Sequence, residues 1–349
     1  MNIGINFSYK LIASRGIARF TENIVSNIPE NKHTYFFFIP KECHFNVPFS
    51  FSKNLNFIEI ECNNYFVFEH LKVPKMVKQY KIDVLINPAN TVPVRRNTKW
   101  VTVIHDVIPF KLKSKPLTKK WFVNMYMRTI LKKAITGSSH LVTVSEYSKS
   151  DIHSLGYKHK DISVVYNGFN HKNSKQEFVS IPDLPEHYIF WLGGDGYNKN
   201  MDAIVQLLQR NKCGIDIVVV GVKKDINVQI LRKLGAHVYV DVSDGELETI
   251  YKKADIFLFP SFYEGFGIPV LEAMNYNVPY IIASNATSVP EVCGNACILI
   301  DPHDINGIEE TINKVLNQEV ESKVSLYAEQ LGKFNWSVEA NKFYNIITG

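Results

Sequence analysis

The feature that most constrains this chain is a run of short, wholly apolar segments that never alternate with polar residues. In the second half these are "HYIFWLGG" (187–194), "GIDIVVVG" (214–221), "AHVYVD" (236–241), "DIFLFPS" (255–261), "VPYIIAS" (278–284) and "ACILID" (296–301). Between them lie stretches with helical spacing: "NMDAIVQLLQR" (200–210), "DINVQILRKLG" closed by Gly235, "DGELETIYKKA" with Asp244 as N-cap, and "IPVLEAMNY". Strands that are apolar on both faces and alternate with helices predict a parallel sheet covered on both sides. The first half repeats the theme with strands "NIGINFS", "TYFFFIP", "VLINPA", "WVTVIHDV", "HLVTVS" and "ISVVYNG", and helices near 16–28, 68–80, 117–135 and 146–155. The expected fold is α/β, with two Rossmann-like domains facing across a cleft, where ligands bind at the carboxyl ends of the strands. The boundaries expected are 1–170 for the first domain, a polar, proline-bearing linker at 171–186, and 187–330 for the second.

Composition narrows the setting. A chain of 349 residues with 46% apolar and 21% charged residues suits two soluble domains. No stretch has the roughly 18 apolar residues of a membrane helix, and the N-terminus reads as a strand with no signal-peptide profile. The cysteines Cys43, Cys62, Cys213, Cys293 and Cys297 form no paired framework and read as buried thiols. The expectation is a cytoplasmic protein, with a peripheral place on the inner face of the plasma membrane left open. Charge is divided unevenly: residues 1–170 carry 24 Lys/Arg and 11 Asp/Glu, a net +13, and the remainder is −8. The first half is therefore expected to face something anionic.

The stretch "FYEGFGIPVLEAM" (262–274) follows a strand and opens a helix. Pro269 suits the first helical turn, where its missing N–H costs nothing. Gly265 and Gly267 allow a ligand to approach the backbone, and free N–H groups at a helix start attract phosphate oxygens. Glu264 and Glu272 would then flank a diphosphate and accept from sugar hydroxyls. On spacing alone a plain strand–turn–helix, with a surface Glu and a helix-dipole Glu, fits as well.

The same stretch, read as "PSFYEGFGIPVLEAM", resembles the E-x7-E signature of retaining GT-B glycosyltransferases of family 4. "SRGIARFTENI" (14–24), "VIHDVIPF" (103–110), "TVSEYSKSDI", "VVYNGF", "WLGGDGYNKNM" and "EVCGNACILIDPHD" are similar to further landmarks of that family, in the right order. "FNWSVEANKFYNI" resembles its terminal helix, so 331–349 is expected to cross back to the first domain. The resemblance implies a retaining hexosyltransferase. In it Glu272 binds the donor ribose, and Glu264 contacts the transferred sugar and steadies its developing positive charge. Gly265, Phe266, Gly267 and Ile268 line the sugar and phosphates. Lys199 pairs with the leaving diphosphate, His105 stands near the transferred sugar, and Gly16 lies near the donor phosphates. Asp106 either orients His105 or caps the adjoining turn. Arg19 is read as a phosphate or acceptor contact, or as an exposed first-turn residue. Where relatives carry a second basic residue beside the Lys, this chain has Gly194 and Asn198, so Arg15 or Arg19 is expected to help. No cofactor and no metal is expected, since "DVSD" (241–244) has the wrong spacing and "DPHD" (301–304) reads as a turn and cap.

One segment stands apart. "FKLKSKPLTKKWFVNMYMRTILKK" (110–133) sets Lys119, Lys120 and other cations among Trp121, Phe122, Met125 and Tyr126. It reads as an acceptor-side or anionic-membrane surface, or as a core-facing stripe with a solvated lysine face; nucleic acid is not expected. The resemblance points to GDP-mannose as donor and to a glycan or lipid-linked glycan acceptor in surface-polysaccharide (O-antigen, lipopolysaccharide or capsule) synthesis. UDP-glucose or UDP-N-acetylglucosamine transfer, a nucleotide-sugar epimerase of the same architecture, and a catalytically dead glycan-binding partner are the alternatives.

Overall fold

The computed structural model describes the chain apart from residues 13–14, 42, 44–53, 112–116, 159 and 170–178, and at 12, 15, 119 and 120 the backbone alone. The Lys113 and Lys115 positions, the Lys119, Lys120 and Arg15 side chains, and part of the expected linker thus lie outside the described residues. The chain divides into two compact units, Met1–Gly168 with Phe334–Gly349, and Phe169–Lys333.

The first unit is built on strands β1 (Asn2–Asn6), β2 (Thr34–Pro40), β3 (Leu55–Ile60), β4 (Val84–Asn87), β5 (Lys99–Ile104), β6 (His140–Thr143) and β7 (Ile162–Val164). They pair all-parallel in the order β3-β2-β1-β4-β5-β6-β7. The sequence reading missed β3, an edge strand whose Asn56 and Glu59 interrupt any apolar run. The helices are α1 (Arg15–Ser26), α2 (Tyr65–Val67), α3 (Val73–Gln79), α4 (Ile108–Lys111), α5 (Lys119–Gly137) and α6 (Glu146–Ser154). A π-helical turn, Phe68–Lys72, joins α2 to α3. One face of the sheet is covered by Phe68, Val73 and Val77 and by Leu131, Ala134 and Ile135 of α5, all buried with Trp100 and Ile104.

The second unit carries β8 (Tyr188–Leu192), β9 (Asp216–Val220), β10 (His237–Tyr239), β11 (Ile256–Phe259), β12 (Tyr280–Ser284) and β13 (Ile298–Ile300). These are parallel in the order β10-β9-β8-β11-β12-β13. Their uninterrupted apolar runs are explained by burial on both faces: every residue of β11 is buried. The helices are α7 (Met201–Arg210), α8 (Asp225–Lys233), α9 (Asp244–Lys253), α10 (Ile268–Asn275), α11 (Val289–Cys293), α12 (Ile305–Leu316) and α13 (Tyr327–Gly332). Asp244 is not the cap of α9. Ser243 is, because its hydroxyl accepts from the Glu246 N–H while the Glu246 carboxylate accepts from the Ser243 N–H.

The last helix, α14 (Trp336–Thr348), belongs to the first unit. Trp336 and Phe343 are buried edge-on to Phe20 of α1, and the Glu339 carboxylate accepts from the Tyr166 N–H at 2.9 Å. Gly168 lies so close to the Trp336 ring that a Cβ there would stand 2.5 Å from it.

Candidate active site

In an open parallel sheet, ligands bind where the winding reverses and neighbouring loops part. In the second unit that reversal falls between β8 and β11. The loops leaving these two strands carry Lys199 and Glu264. Although 65 residues apart in sequence, the two are in contact: Lys199 Nζ donates to Glu264 Oε1 at 2.7 Å, with both side chains largely shielded.

The contact is enforced by the residues on either side of Lys199. The loop after β8 tightens into a 3-10 turn, Tyr197–Lys199. Asn198 donates its side-chain amide to the Tyr263 carbonyl at 3.1 Å, and its own carbonyl accepts from the Phe262 N–H at 2.8 Å. Asn200 is buried in the left-handed conformation, φ 57°. Its side-chain amide donates to Pro260 O at 3.0 Å and Pro302 O at 2.8 Å while its oxygen caps α7. Two asparagines thus clamp the lysine turn against the start of the Glu264 loop. Reading 200 as the first helical residue hid this role; Asn directly before an apolar-periodic helix is the signal that could have shown it.

Glycines allow the close approach. Gly193 sits against Trp191, where a Cβ would stand 2.0 Å from the ring, and the left-handed Gly221 lies below its carbonyl. At Gly194, by contrast, an added Cβ would meet Gly221 O and Lys199 Cγ only at 3.8 and 4.0 Å. Asp195 anchors the loop to α8. Burial raises its pKa, but hydrogen bonds from Asn227 and from the Lys223 and Lys224 N–H groups outweigh this and hold the carboxyl below its usual range.

The Glu264 loop is pinned from the other side. The Glu264 N–H donates to Thr287 Oγ1 at 3.1 Å, and the Ser288 hydroxyl is shared between the Glu264 and Phe266 carbonyls at 3.0 and 2.9 Å. Phe266 itself is a buried core ring, so only its backbone is placed for a ligand. Gly267 is the N-cap of α10 at φ 112°, a region that favours glycine. Ile268 and Pro269 then begin the helix; Pro269 has no N–H, and the Val270 N–H already bonds the Gly267 carbonyl at 3.0 Å. Glu272 lies one turn further on and accepts from the Tyr251 hydroxyl at 3.1 Å. Tyr251 and Tyr276 stack beside it at 5.4 Å. The result is a helix start, a lysine ammonium, and one carboxylate on each side.

The first unit holds the other expected residues at the carboxyl end of its sheet. His105 follows β5; its Nε2–H donates to the Pro88 carbonyl at 2.7 Å, and its N–H bonds Asn90 at 2.7 Å. Burial pushes its pKa down to about 4, so the ring is neutral and presents Nδ1 as an acceptor. Of the two readings of Asp106, the cap is seen: its carboxylate accepts from the Ile108 N–H at 3.0 Å, while Pro88 holds the imidazole. The Phe20 ring meets His105 edge-on at 5.2 Å, which brings the first turn of α1, with exposed Gly16 and part-buried Arg19, to the same end. A polar cluster that the sequence reading passed over lies nearby: Asn6 donates to fully buried Glu69 at 3.1 Å and to Asn87 at 3.3 Å. Trp121 lies in the first turn of α5, its ring 5.0 Å from that of Phe122. Among the described residues no group of three or more His, Cys, Asp or Glu is arranged to hold a metal ion, and no helix is long and apolar enough to cross a membrane. Asp301 and Asp304 accept from the N–H groups of His303, Asn306 and Gly307.

Two doubly wound parallel sheets, with a terminal helix returned to the first, define the GT-B class. The solved structure of sucrose-phosphate synthase from Thermosynechococcus elongatus shares that fold, with a TM-score of 0.73 over 99% of this chain and 97% of that one, at 15% identity. Two family models then match in tandem: Glycosyltransferase Family 4 over residues 14–173 and Glycosyl transferases group 1 over 173–331. The chain belongs to the family 4 glycosyltransferases. It is 26% identical over 282 residues to the O-antigen chain mannosyltransferase B of Escherichia coli, covering 74% of this chain and 72% of that protein. It is also 26% identical over 255 residues to the O-antigen chain mannosyltransferase RfbU of Salmonella typhimurium, covering 71% and 68%.

Proposed function

We propose that this glycosyltransferase moves a mannosyl group from GDP-mannose to a hydroxyl of a glycan or lipid-linked glycan, with retention of anomeric configuration, in surface-polysaccharide synthesis. The mannosyl donor rests on the two O-antigen mannosyltransferase relatives. The site rests on one observation, the Lys199–Glu264 pair at the winding reversal beside the start of α10.

In this reading the donor diphosphate lies against the positive end of α10 and the backbone of Gly267 and Ile268. An ammonium has three donors, so Lys199 keeps Glu264 with one and turns the others to phosphate oxygens. As the glycosidic bond breaks, negative charge grows on the leaving phosphate and positive charge on the sugar. Lys199 and the helix start meet the first, and the Glu264 carboxylate meets the second. Glu272, held by Tyr251, accepts from the ribose hydroxyls. Neutral His105, at the carboxyl end of the first unit's sheet, offers Nδ1 as a hydrogen-bond acceptor for a sugar hydroxyl. The acceptor hydroxyl attacks from the face the phosphate leaves and gives its proton to that phosphate, so no separate base is needed. The charge is met by Lys199 and backbone dipoles, and turnover is proposed to proceed without a metal.

The test is transfer from GDP-mannose to an acceptor glycan, with the anomeric outcome read by NMR and EDTA present or absent. An α-linked product that forms equally in EDTA supports the reading. Conversion of the donor without acceptor would instead mark an epimerase, and transfer only from a UDP-sugar would replace the donor.

A further inference from the structure

The two loops that carry Lys199 and Glu264 also meet through a second pair of side chains, which the proposed donor contacts do not use. Tyr197 and Phe262 stand 65 positions apart, the same interval as Lys199 and Glu264. Their rings stack at 5.2 Å with the planes 30° apart. His303, from the loop after β13, stacks on the same Phe262 ring at 4.6 Å and 20°. Three rings from the ends of three strands thus pack together beside the ion pair. Tyr197 is 69% exposed even so, and its hydroxyl has no protein partner among the described residues. The rings are fixed by the same bonds that fix Lys199. Asn198 ties the turn Tyr197–Lys199 to Tyr263, and Asn200 ties it to Pro260 and to Pro302, the neighbour of His303. Two residues of chain span at most about 7 Å. The ring pair therefore lies about one sugar unit along the same two loops from the ion pair.

We propose that the open face of Tyr197 is a subsite for the acceptor glycan, holding a pyranose next to the one whose hydroxyl attacks. A pyranose presents C–H bonds on its faces and hydroxyls around its rim. The C–H bonds are drawn to the negative face of an aromatic ring, while the hydroxyls stay in water or meet a polar tip such as the Tyr197 hydroxyl. Because stack and turn already hold the Tyr197 ring, the sugar gains this contact with little ordering of the side chain, and such preorganisation favours binding. The donor is not the occupant. Its ribose is assigned to Glu272 on α10, beyond Glu264 in the chain, whereas Phe262 precedes Glu264, close after β11. The rings are thus left for the second substrate. A hold on the second sugar selects an oligosaccharide over a single sugar as acceptor. That the bound sugar is the acceptor rests on the transferase reading; that a pyranose stacks on Tyr197 does not.

The test is binding of α-methyl mannoside and α-mannotriose to the full chain, read by saturation-transfer NMR and needing no turnover. The variants are Tyr197→Ala and Tyr197→Trp. Melting temperature and the thermal shift with GDP-mannose report whether each is folded with its donor site intact. Wild type is expected to bind mannotriose more tightly than the single sugar. Tyr197→Ala should bind mannotriose about tenfold more weakly, the scale of one aromatic contact, and lose the preference for it. Tyr197→Trp should keep both, and both variants should keep the donor shift. No binding of mannotriose by wild type would overturn the proposal, as would equal binding by Tyr197→Ala or a Tyr197→Trp as weak as the alanine variant. Loss of the donor shift in Tyr197→Ala would also overturn it, by making the ring a prop for the lysine turn. Mannotriose held through Tyr197 by a wild type that shows no GDP-mannose shift would sink the donor reading and leave the sugar subsite standing.

Discussion

Lys199 and Glu264 bear the chemical argument, and substituting each should have a distinct consequence. Removing the Lys199 ammonium takes away the one side-chain cation in contact with Glu264 among the described residues. Lys199→Ala should lower kcat by about 10²–10³-fold, the scale of losing a charge-stabilising donor in a transition state, with a smaller change in donor affinity. Steady-state kinetics with GDP-mannose separate the two. Gly194 offers the reverse experiment. A Cβ there makes only ordinary contacts, and the position stands next to Lys199 Cγ. Gly194→Arg should therefore fold and bind GDP about tenfold more tightly by adding a charge-assisted phosphate contact of about 1.5 kcal/mol; calorimetry reads this directly. His105 gives a pH signature. Its folded-state pKa of about 4 lies below the unfolded value, so between these values the unfolded chain holds more protons. Stability should thus fall as pH drops from about 6.5 towards 4. His105→Gln should flatten that part of the curve of melting temperature against pH.

The elements explain why those side chains meet. The apolar runs made the strands legible, because a strand buried on both faces cannot alternate. The edge strand β3 was not legible, since only part of it is buried and Asn56 and Glu59 break the pattern. The π-helical turn at Phe68–Lys72 leaves no trace in side-chain periodicity, because it is a change in backbone hydrogen bonding. Of the site, the stretch around Glu264 and Glu272 was readable as a loop opening a helix and able to cradle a diphosphate, but on spacing alone a plain strand–turn–helix fitted as well. Its partner Lys199 came only from resemblance, because no local pattern links positions 65 apart. Nor does spacing reveal that Asn198 and Asn200 hold the lysine turn. Asn200→Ala should leave the buried carbonyls of Pro260 and Pro302 without donors and cost about 2–4 kcal/mol. At temperatures where the variant remains folded, its kcat should still fall, because the turn is released; Asn200→Asp should not rescue it, because it lacks the amide donor.

At the scale of the whole molecule, the labour is divided between two units with opposite charge. The residues proposed to hold the donor diphosphate and ribose, Lys199, Glu264, Gly267 and Glu272, all lie in the acidic unit, Phe169–Lys333. His105 and α1 lie in the basic one, which α14 completes. The terminal helix is integral: Trp336→Ala should cost about 3–5 kcal/mol, as for a large buried aromatic ring, and loosen the Phe20 contact that adjoins His105. The central claim is that a nucleotide sugar binds at the start of α10. The most direct test is the thermal shift of wild type and Glu272→Ala with GDP-, UDP- and ADP-sugars, with and without EDTA. Donor at about 100 times its dissociation constant should stabilise wild type by about 2.7 kcal/mol. The account predicts a shift with GDP-mannose that is indifferent to EDTA and lost in Glu272→Ala. A shift of equal size in the variant, or none with any nucleotide sugar, would contradict it.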